Sequence, residues 1–264
     1  MEWSFPHRKT WVHRVNPGVK LIVSTLLFVA VVSIHNVNVM ANVAAGVVLL
    51  LAVCSGHPWR RLLLYASPFL LIFVSSVSGM AMFGEGTTTW FRFGLVHVTE
   101  ESFVRGVHLG LRSVSVAAAG LLFALTTKPA DLFYGLMQQW KLPPKYAYSF
   151  LAALRMVPAI IEEFQIRRHA LKIRGRLRRR GVAGWYDTLR QYAIPLLAQS
   201  IRRAHRIAVA MEAKRFHGNG PRTYYYRISY SAWDAAYVAA MAALIALAWY
   251  AGAAWPYVGS VDVR

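Results

Sequence analysis

Apolar residues run almost unbroken through five segments of the chain and recur with helical spacing in a sixth region. Leu21–Ile34 and Val37–Cys54 are separated only by His35 and Asn36, which predicts a tight helical hairpin. Leu62–Phe83, interrupted by Pro68, is a third run, followed by a polar loop from Gly84 to Ser102. Val107–Thr127 is the fourth, and Trp233–Trp255, rich in alanine and closed by aromatic residues, is the last. About 20 helical residues cross the hydrocarbon core of a bilayer, so about five transmembrane helices are expected, the first two borrowing flanking residues. Gly106 and Gly110 stand four apart, as do Ala239 and Ala243. Small residues at that spacing let helix backbones approach closely in lipid, so these four are expected at helix-packing or sliding surfaces.

The sixth region lies between the fourth and fifth runs. Phe150, Leu154, Val157, Ile161, Phe164 and Leu171 follow one another mostly at four- and three-residue steps, the period of a long amphipathic helix. Glu163 precedes Arg167 by four, a favourable orientation for a pair on one helix face. Gly175, then Gly181 and Gly184, predict the stop, with Arg176, Arg178, Arg179 and Arg180 complementing the helix dipole. A second helix is expected from about Trp185 to Phe216, bent at Pro195 and ended by Gly218 to Pro221. The fold class is therefore all-α: a polytopic membrane protein with about five spans and two long amphipathic cytoplasmic helices. Residues 1–127 would hold four spans, 128–231 the cytoplasmic helices, and 232–264 the last span.

Charge sharpens this division. The chain has 264 residues, 56% of them hydrophobic, yet a formal charge of +19. Lys128 to Arg227 holds 20 of the 30 Lys and Arg but only 5 of the 11 Asp and Glu, a local +15. With alternating spans, Arg8, Lys9, Arg14, Lys20, Arg60 and Arg61 fall on the same side as this block, and the positive-inside rule makes that side cytoplasmic. The amino terminus is then cytoplasmic in the cell membrane and the carboxyl terminus outside. Met1 to Lys20 is polar and aromatic, and no small-residue cleavage site follows the first run, so that run is expected to be a retained anchor. A block of +15 attracts anionic lipid, nucleic acid or an acidic protein face.

Familiar catalytic patterns are missing. There is no Gly-x-x-x-x-Gly-Lys-Ser/Thr phosphate loop and no His-Glu-x-x-His. The nine histidines are scattered, and the lone Cys54 lies in an apolar run. The carboxylate pairs Glu100-Glu101 and Glu162-Glu163 point to different sides of a helix. No catalytic residue, cofactor or metal site is expected. Arg155 is a charge inside the run Tyr148 to Ile161, with Pro158 three residues on. Charge at bilayer depth is costly, so both are expected to brace the elbow where the chain leaves the membrane.

Four stretches resemble the transmembrane coupling subunit, EcfT or CbiQ, of energy-coupling factor (ECF) transporters. They are His13-Arg14-Val15-Asn16-Pro17-Gly18-Val19-Lys20-Leu21, Thr126-Thr127-Lys128-Pro129-Ala130-Asp131-Leu132, Leu142-Pro143-Pro144-Lys145-Tyr146 running on to Ala153–Pro158, and a pair of helix ends. The helix ends are Lys172-Ile173-Arg174-Gly175 and Ala210-Met211-Glu212-Ala213-Lys214-Arg215-Phe216. The resemblance covers nearly the whole chain in order. It implies two cytoplasmic coupling helices whose Ala-Arg-Gly-type ends dock in two ABC ATPase subunits, and a separate substrate-binding membrane S-component for uptake of a vitamin or a metal ion such as cobalt. The thiamine or hydroxymethylpyrimidine branch is a loose match. Arg174 and Gly175 match the first motif, with Ile173 in place of alanine. At the second end Ala213 matches, Lys214 replaces arginine and Arg215 replaces glycine. That exchange keeps the charge but gives up the glycine and the planar guanidinium fork.

Two other classes compete with this scaffold. A membrane-anchored binder of anionic lipid or nucleic acid would use the +15 block electrostatically and would not need the interleaved apolar stripe, so a nucleic-acid partner is not expected. An intramembrane enzyme would need a partner for a residue such as His108, and none is evident at a useful spacing.

Overall fold

The computed structural model describes residues 8–84, 89–93, 96–175, 182–216 and 223–256. The chain falls into two units, one of Trp3–Gly135 with Ile228–Arg264, the other of Leu136–Arg227.

The first unit begins with a short turn of 3-10 helix, Trp11–Arg14. Helix α1, Pro17–Ser33, starts where Asn16 caps it by accepting from Gly18 N at 2.9 Å, with Pro17 in the first turn. Only three residues separate it from α2, Val37–Cys54, capped in the same way by Asn36. Helix α3 is Trp59–Phe83 and α4 is Glu100–Thr126. Thr99 caps α4, and Glu100 and Glu101 sit in its first turn, where negative charge suits the helix dipole. Between α3 and α4 the expected polar loop contains an antiparallel hairpin, β1 Thr89–Phe93 and β2 Val96–Thr99, pairing Phe93 with Val96 and Thr89 with Thr99. Helix α5, Pro129–Gln139, follows α4, and its residues from Leu136 on belong to the other unit. Helix α8, Ala232–Ala254, returns to this unit.

Among the described residues α2, α3, α4 and α8 are long and apolar enough to cross a membrane, whereas α1, at 17 residues, is shorter. At 1.5 Å per residue α1 reaches about 26 Å. Helix α4 packs against α1, α2 and α3, and α2 packs against α8. The buried positions keep the helical period: Val23, Leu27 and Val31 in α1; Met40, Val43, Val47 and Leu51 in α2. The opposite faces are apolar as well, with Leu26, Val29, Leu49, Val53, Leu64 and Leu71 all exposed. Helices apolar on every side belong in lipid, where close van der Waals fit rather than water exclusion joins them. Gly110 provides that fit: a Cβ there would lie 2.7 Å from the Phe73 ring and 3.1 Å from Val77, both on α3.

Two cationic side chains inside this unit bond to backbone carbonyls of other helices. The buried Lys20 donates to the Thr126 carbonyl at 2.9 Å, at the last turn of α4. Arg112 donates to the carbonyls of Val32 (3.2 Å) and Ile34 (3.1 Å), at the end of α1, and stands 3.2 Å from His108 Nε2. His108 thus has a neighbour at the four-residue spacing where none was expected. Lys20, counted among the flanking cations, is buried at 1% exposure.

In the second unit, α6 is Pro144–Ile173 and α7 is Val182–Ala213. Each is about 45 Å long by its residue count. Pro143 and Pro144 start α6, and both helices continue past their internal prolines, Pro158 and Pro195. Phe164 meets Tyr192 with ring centroids 5.0 Å apart, and Tyr148 meets Phe216 edge-on at 5.5 Å. Glu163 forms an ion pair with Arg203 between them. The carboxylate expected to support Arg167 along α6 therefore reaches across to α7. Of the apolar stripe, Leu171 is buried and Leu154 and Ile161 are half-buried, while Phe150 is about half exposed and Val157 and Phe164 are somewhat more than a third exposed.

Candidate partner-docking ends of the long helices

A helix leaves its last carbonyls without intrahelical partners, and a residue in the left-handed conformation just past the end lets later N–H groups turn back to satisfy them. At the end of α6, Arg174 N donates to Ala170 O at 3.1 Å and Gly175 N to Lys172 O at 3.1 Å. Gly175 has φ +68°, the left-handed region that glycine adopts without steric cost. Residues 176–181, including Arg176, Arg178, Arg179, Arg180 and Gly181, lie outside the described residues.

At the end of α7 the same closure is complete. Arg215 N donates to Glu212 O at 2.8 Å and Phe216 N to Met211 O at 2.9 Å. This is the paired bonding of a Schellman motif. Arg215 holds the left-handed position with φ +53°. A Cβ there costs about 1 kcal/mol or more, so the chain keeps glycine's geometry at that site while carrying a cation. The exchange of glycine for Arg215 leaves the helix-end backbone in the left-handed conformation. Phe216, packed on Tyr148, anchors the turn. The ends therefore align residue for residue: Ile173 with Ala213, Arg174 with Lys214, Gly175 with Arg215. Ile173, Arg174, Gly175, Ala213, Lys214 and Arg215 are all exposed, and Ile173 is 87% accessible despite being aliphatic. Residues 217–222, where Gly218 to Pro221 were expected to end α7, lie outside the described residues.

Behind Arg174 a cavity of about 390 Å³ opens between the helices, lined by Glu163, Ile166, Arg167, Ala170, Leu171 and Gln199. Its lining combines apolar Ile166, Ala170 and Leu171 with the charges of Glu163, Arg167 and Arg174. On α7, Ile194, Leu197 and Ile201 are exposed at three- and four-residue steps, one apolar row along the helix.

The other expected site residues are distributed differently. Arg155 and Pro158 are exposed on α6, and among the described residues Arg155 has no hydrogen-bond partner. Gly106 faces Val77 and Met80 while Gly110 faces Phe73 and Val77, so α3 of the same chain occupies that small-residue surface. Ala239 and Ala243 are exposed on α8. Among the described residues no three His, Cys, Asp or Glu side chains are grouped to hold a metal ion.

Both helix ends lie in the segment, residues 8–225, that matches the family model described as cobalt transport protein, CbiQ. The chain belongs to the CbiQ family. Curated relatives of this CbiQ-family chain are similar over most of their length. The energy-coupling factor transporter transmembrane protein EcfT of Bacillus subtilis is 29% identical over 249 residues, covering 90% of this chain and 93% of the relative. The protein of the same name from Brevibacillus brevis is 27% identical over 252 residues, 90% and 92% of the two chains. That of Macrococcus caseolyticus is 22% identical over 242 residues, 86% and 88%. Family and apolar helices together make this a multi-pass membrane protein of a transport family.

Sequence reasoning missed three side chains that organise the spans. Lys20 was read only as a flanking charge, and Asp234 and Arg112 were not singled out. Their signal was present: an ionisable residue inside an apolar helix needs a partner and marks a buried polar contact.

Proposed function

We propose that this chain is the transmembrane coupling component of an energy-coupling factor importer. Its helix ends at Ile173-Arg174-Gly175 and Ala213-Lys214-Arg215 each dock an ABC ATPase subunit, with hydrolysis in those partners. The observation that carries this reading is the repeated end geometry, maintained at Arg215 against the preference of a non-glycine residue. A helix end that closes on its own carbonyls and presents a cation beside an exposed aliphatic side chain suits an acidic, partly apolar groove on a protein. Exposed Ile166 and Ile173 among the arginines favour a protein surface over bare phosphates.

The block of +15 then faces the cytoplasm, as does the amino terminus. The row Ile194, Leu197 and Ile201 on α7 is the surface offered to a substrate-binding membrane S-component, with exposed Ala239 and Ala243 available to it in the bilayer. Gly106 and Gly110 serve packing within the chain. Arg155, exposed on α6, is available to a headgroup or a partner. In this scheme the partner selects the transported vitamin or metal ion.

Purification of the tagged protein from its own membranes tests the reading. Two ATP-hydrolysing subunits, or two copies of one, are expected with the wild type, and Arg174→Glu is expected to lose ATPase while inserting normally. Equal ATPase recovery with Arg174→Glu removes that residue from the docking site.

A further inference from the structure

Among the described residues the covalent chain passes between the two units after Gly135 and again before Ile228. On the membrane unit these two points are neighbours: a Cβ at Gly135 would lie 3.9 Å from Ile228 Cδ1 and 4.0 Å from both Asn16 Oδ1 and Gly18 N. Beside them is a buried polar knot. Asn16 N donates to Asp234 Oδ1 at 2.7 Å, and Asn16 Nδ2 to Ser229 O at 3.5 Å. Asp234 Oδ2 accepts from Ser231 N at 2.8 Å, closing the first turn of α8. Lys20 Nζ donates to the carbonyl of Thr126 at 2.9 Å and lies 3.5 Å from its hydroxyl, at the end of α4. Asp234 and Asp131 both act electrostatically on Lys20.

The knot joins the starts of α1 and α8 to the end of α4. Buried ionic groups are poor evidence for stability, because apolar residues of similar volume often hold a fold as well. Directional hydrogen bonds from a charged group to neutral partners on other elements instead fix one arrangement of the elements that bear them. Here they set the place where the chain departs for α6 and α7 and the place where it returns.

We propose that Lys20, Asn16, Asp234 and Thr126 form a positioning device that holds the two interunit connections side by side, so that displacement of the coupling helices moves α1, α4 and α8 together. This rests on the coupling function proposed above. Their role is to keep transport in step with ATP hydrolysis.

The test uses the complete complex, purified with its ATPases and S-component and reconstituted in liposomes. ATP hydrolysis and substrate uptake are measured on the same preparation. Lys20→Met keeps the aliphatic length and removes the ammonium. It is expected to retain the ATPases and hydrolyse ATP within about twofold of wild type, while uptake per ATP falls at least fivefold. Asp234→Asn provides an independent variant with the same expectation should Lys20→Met fail to insert. In a Cys54→Ala background, spin labels at Gly135→Cys and Ile228→Cys are expected to show one narrow distance distribution that broadens when Lys20→Met is added. An unchanged uptake-to-hydrolysis ratio, or a parallel loss of recovery, hydrolysis and uptake, overturns the proposal. An unbroadened distance distribution overturns it as well. Absence of ATPases from the wild-type complex instead defeats the coupling reading on which it rests.

Discussion

Replacing Arg215 by alanine and, separately, by glycine isolates the backbone of the second helix end from its side chain. Both substitutions remove the same guanidinium and its contacts, so their difference reports the cost of a Cβ at φ +53°. A Cβ in the left-handed region costs about 1 to 2 kcal/mol. Glycine returns about 0.5 to 1 kcal/mol through the greater freedom of the unfolded chain. The balance favours glycine by about 0.5 to 1 kcal/mol, the reverse of a helix interior, where alanine is the more stable. For a chain of this size that is a difference of about 1 to 4 °C in melting temperature. Thermal unfolding of the two variants in the same detergent, followed by helical circular dichroism, measures it. An alanine variant as stable as the glycine variant would refute the assignment of glycine's conformation to Arg215, and with it the equivalence of the two helix ends. Arg215→Gly should also keep the turn while weakening ATPase retention, since the cation is lost.

Gly110→Leu is expected to lower stability by about 1 to 3 kcal/mol, because its Cβ would meet the Phe73 ring at 2.7 Å and force α3 from α4. Gly120→Leu, with no atom within 4 Å of the new Cβ, is the control and should melt near wild type. Glu163→Arg should weaken the crossing of α6 and α7 by about 1 kcal/mol, and Glu163→Arg with Arg203→Glu should recover most of that loss in a double-mutant cycle of melting temperatures. His13, held below the usual histidine value first by burial and then by Lys20, uses its neutral Nδ1 to accept from Thr10 N at 3.1 Å. Its folded pKa lies below its unfolded value near 6.5, so this contribution is complete above that pH and is lost as pH falls through the folded value. Melting from pH 7.5 to 5 should therefore show an acid-side loss that His13→Gln diminishes.

The spans were legible because lipid imposes a simple rule, and long apolar runs at Val37–Cys54 and Ala232–Ala254 satisfy it without help from neighbours. The helix end at Gly175 was legible for a local reason, since it depends on residues adjacent in the chain. Less was visible where distant residues decide. Lys20 looked like an ordinary flanking cation until α4 brought Thr126 to it. Glu163 had a suitable partner one turn away and was claimed by Arg203 of another helix. The small-residue pair Gly106 and Gly110 announced a helix contact without saying which helix, and it is α3. The β1–β2 hairpin was concealed in a short polar stretch whose strand pairing is not encoded by a local period. At Arg215 residue identity suggested a lost glycine, whereas backbone hydrogen bonds retained its conformation.

Site-directed cross-linking tests the central claim most directly. Cys54 is the single cysteine and is buried, so a Cys54→Ala background permits one new cysteine at Ile173 or at Ala213. Short cross-linkers applied to native membranes, followed by mass spectrometry of the products, identify what each helix end touches. The coupling account predicts an ABC ATPase subunit bound to each position, with cross-linking at Ile173→Cys diminished by Arg174→Glu. Cross-links to lipid, or to proteins without an ATP-binding domain, at both positions would contradict it.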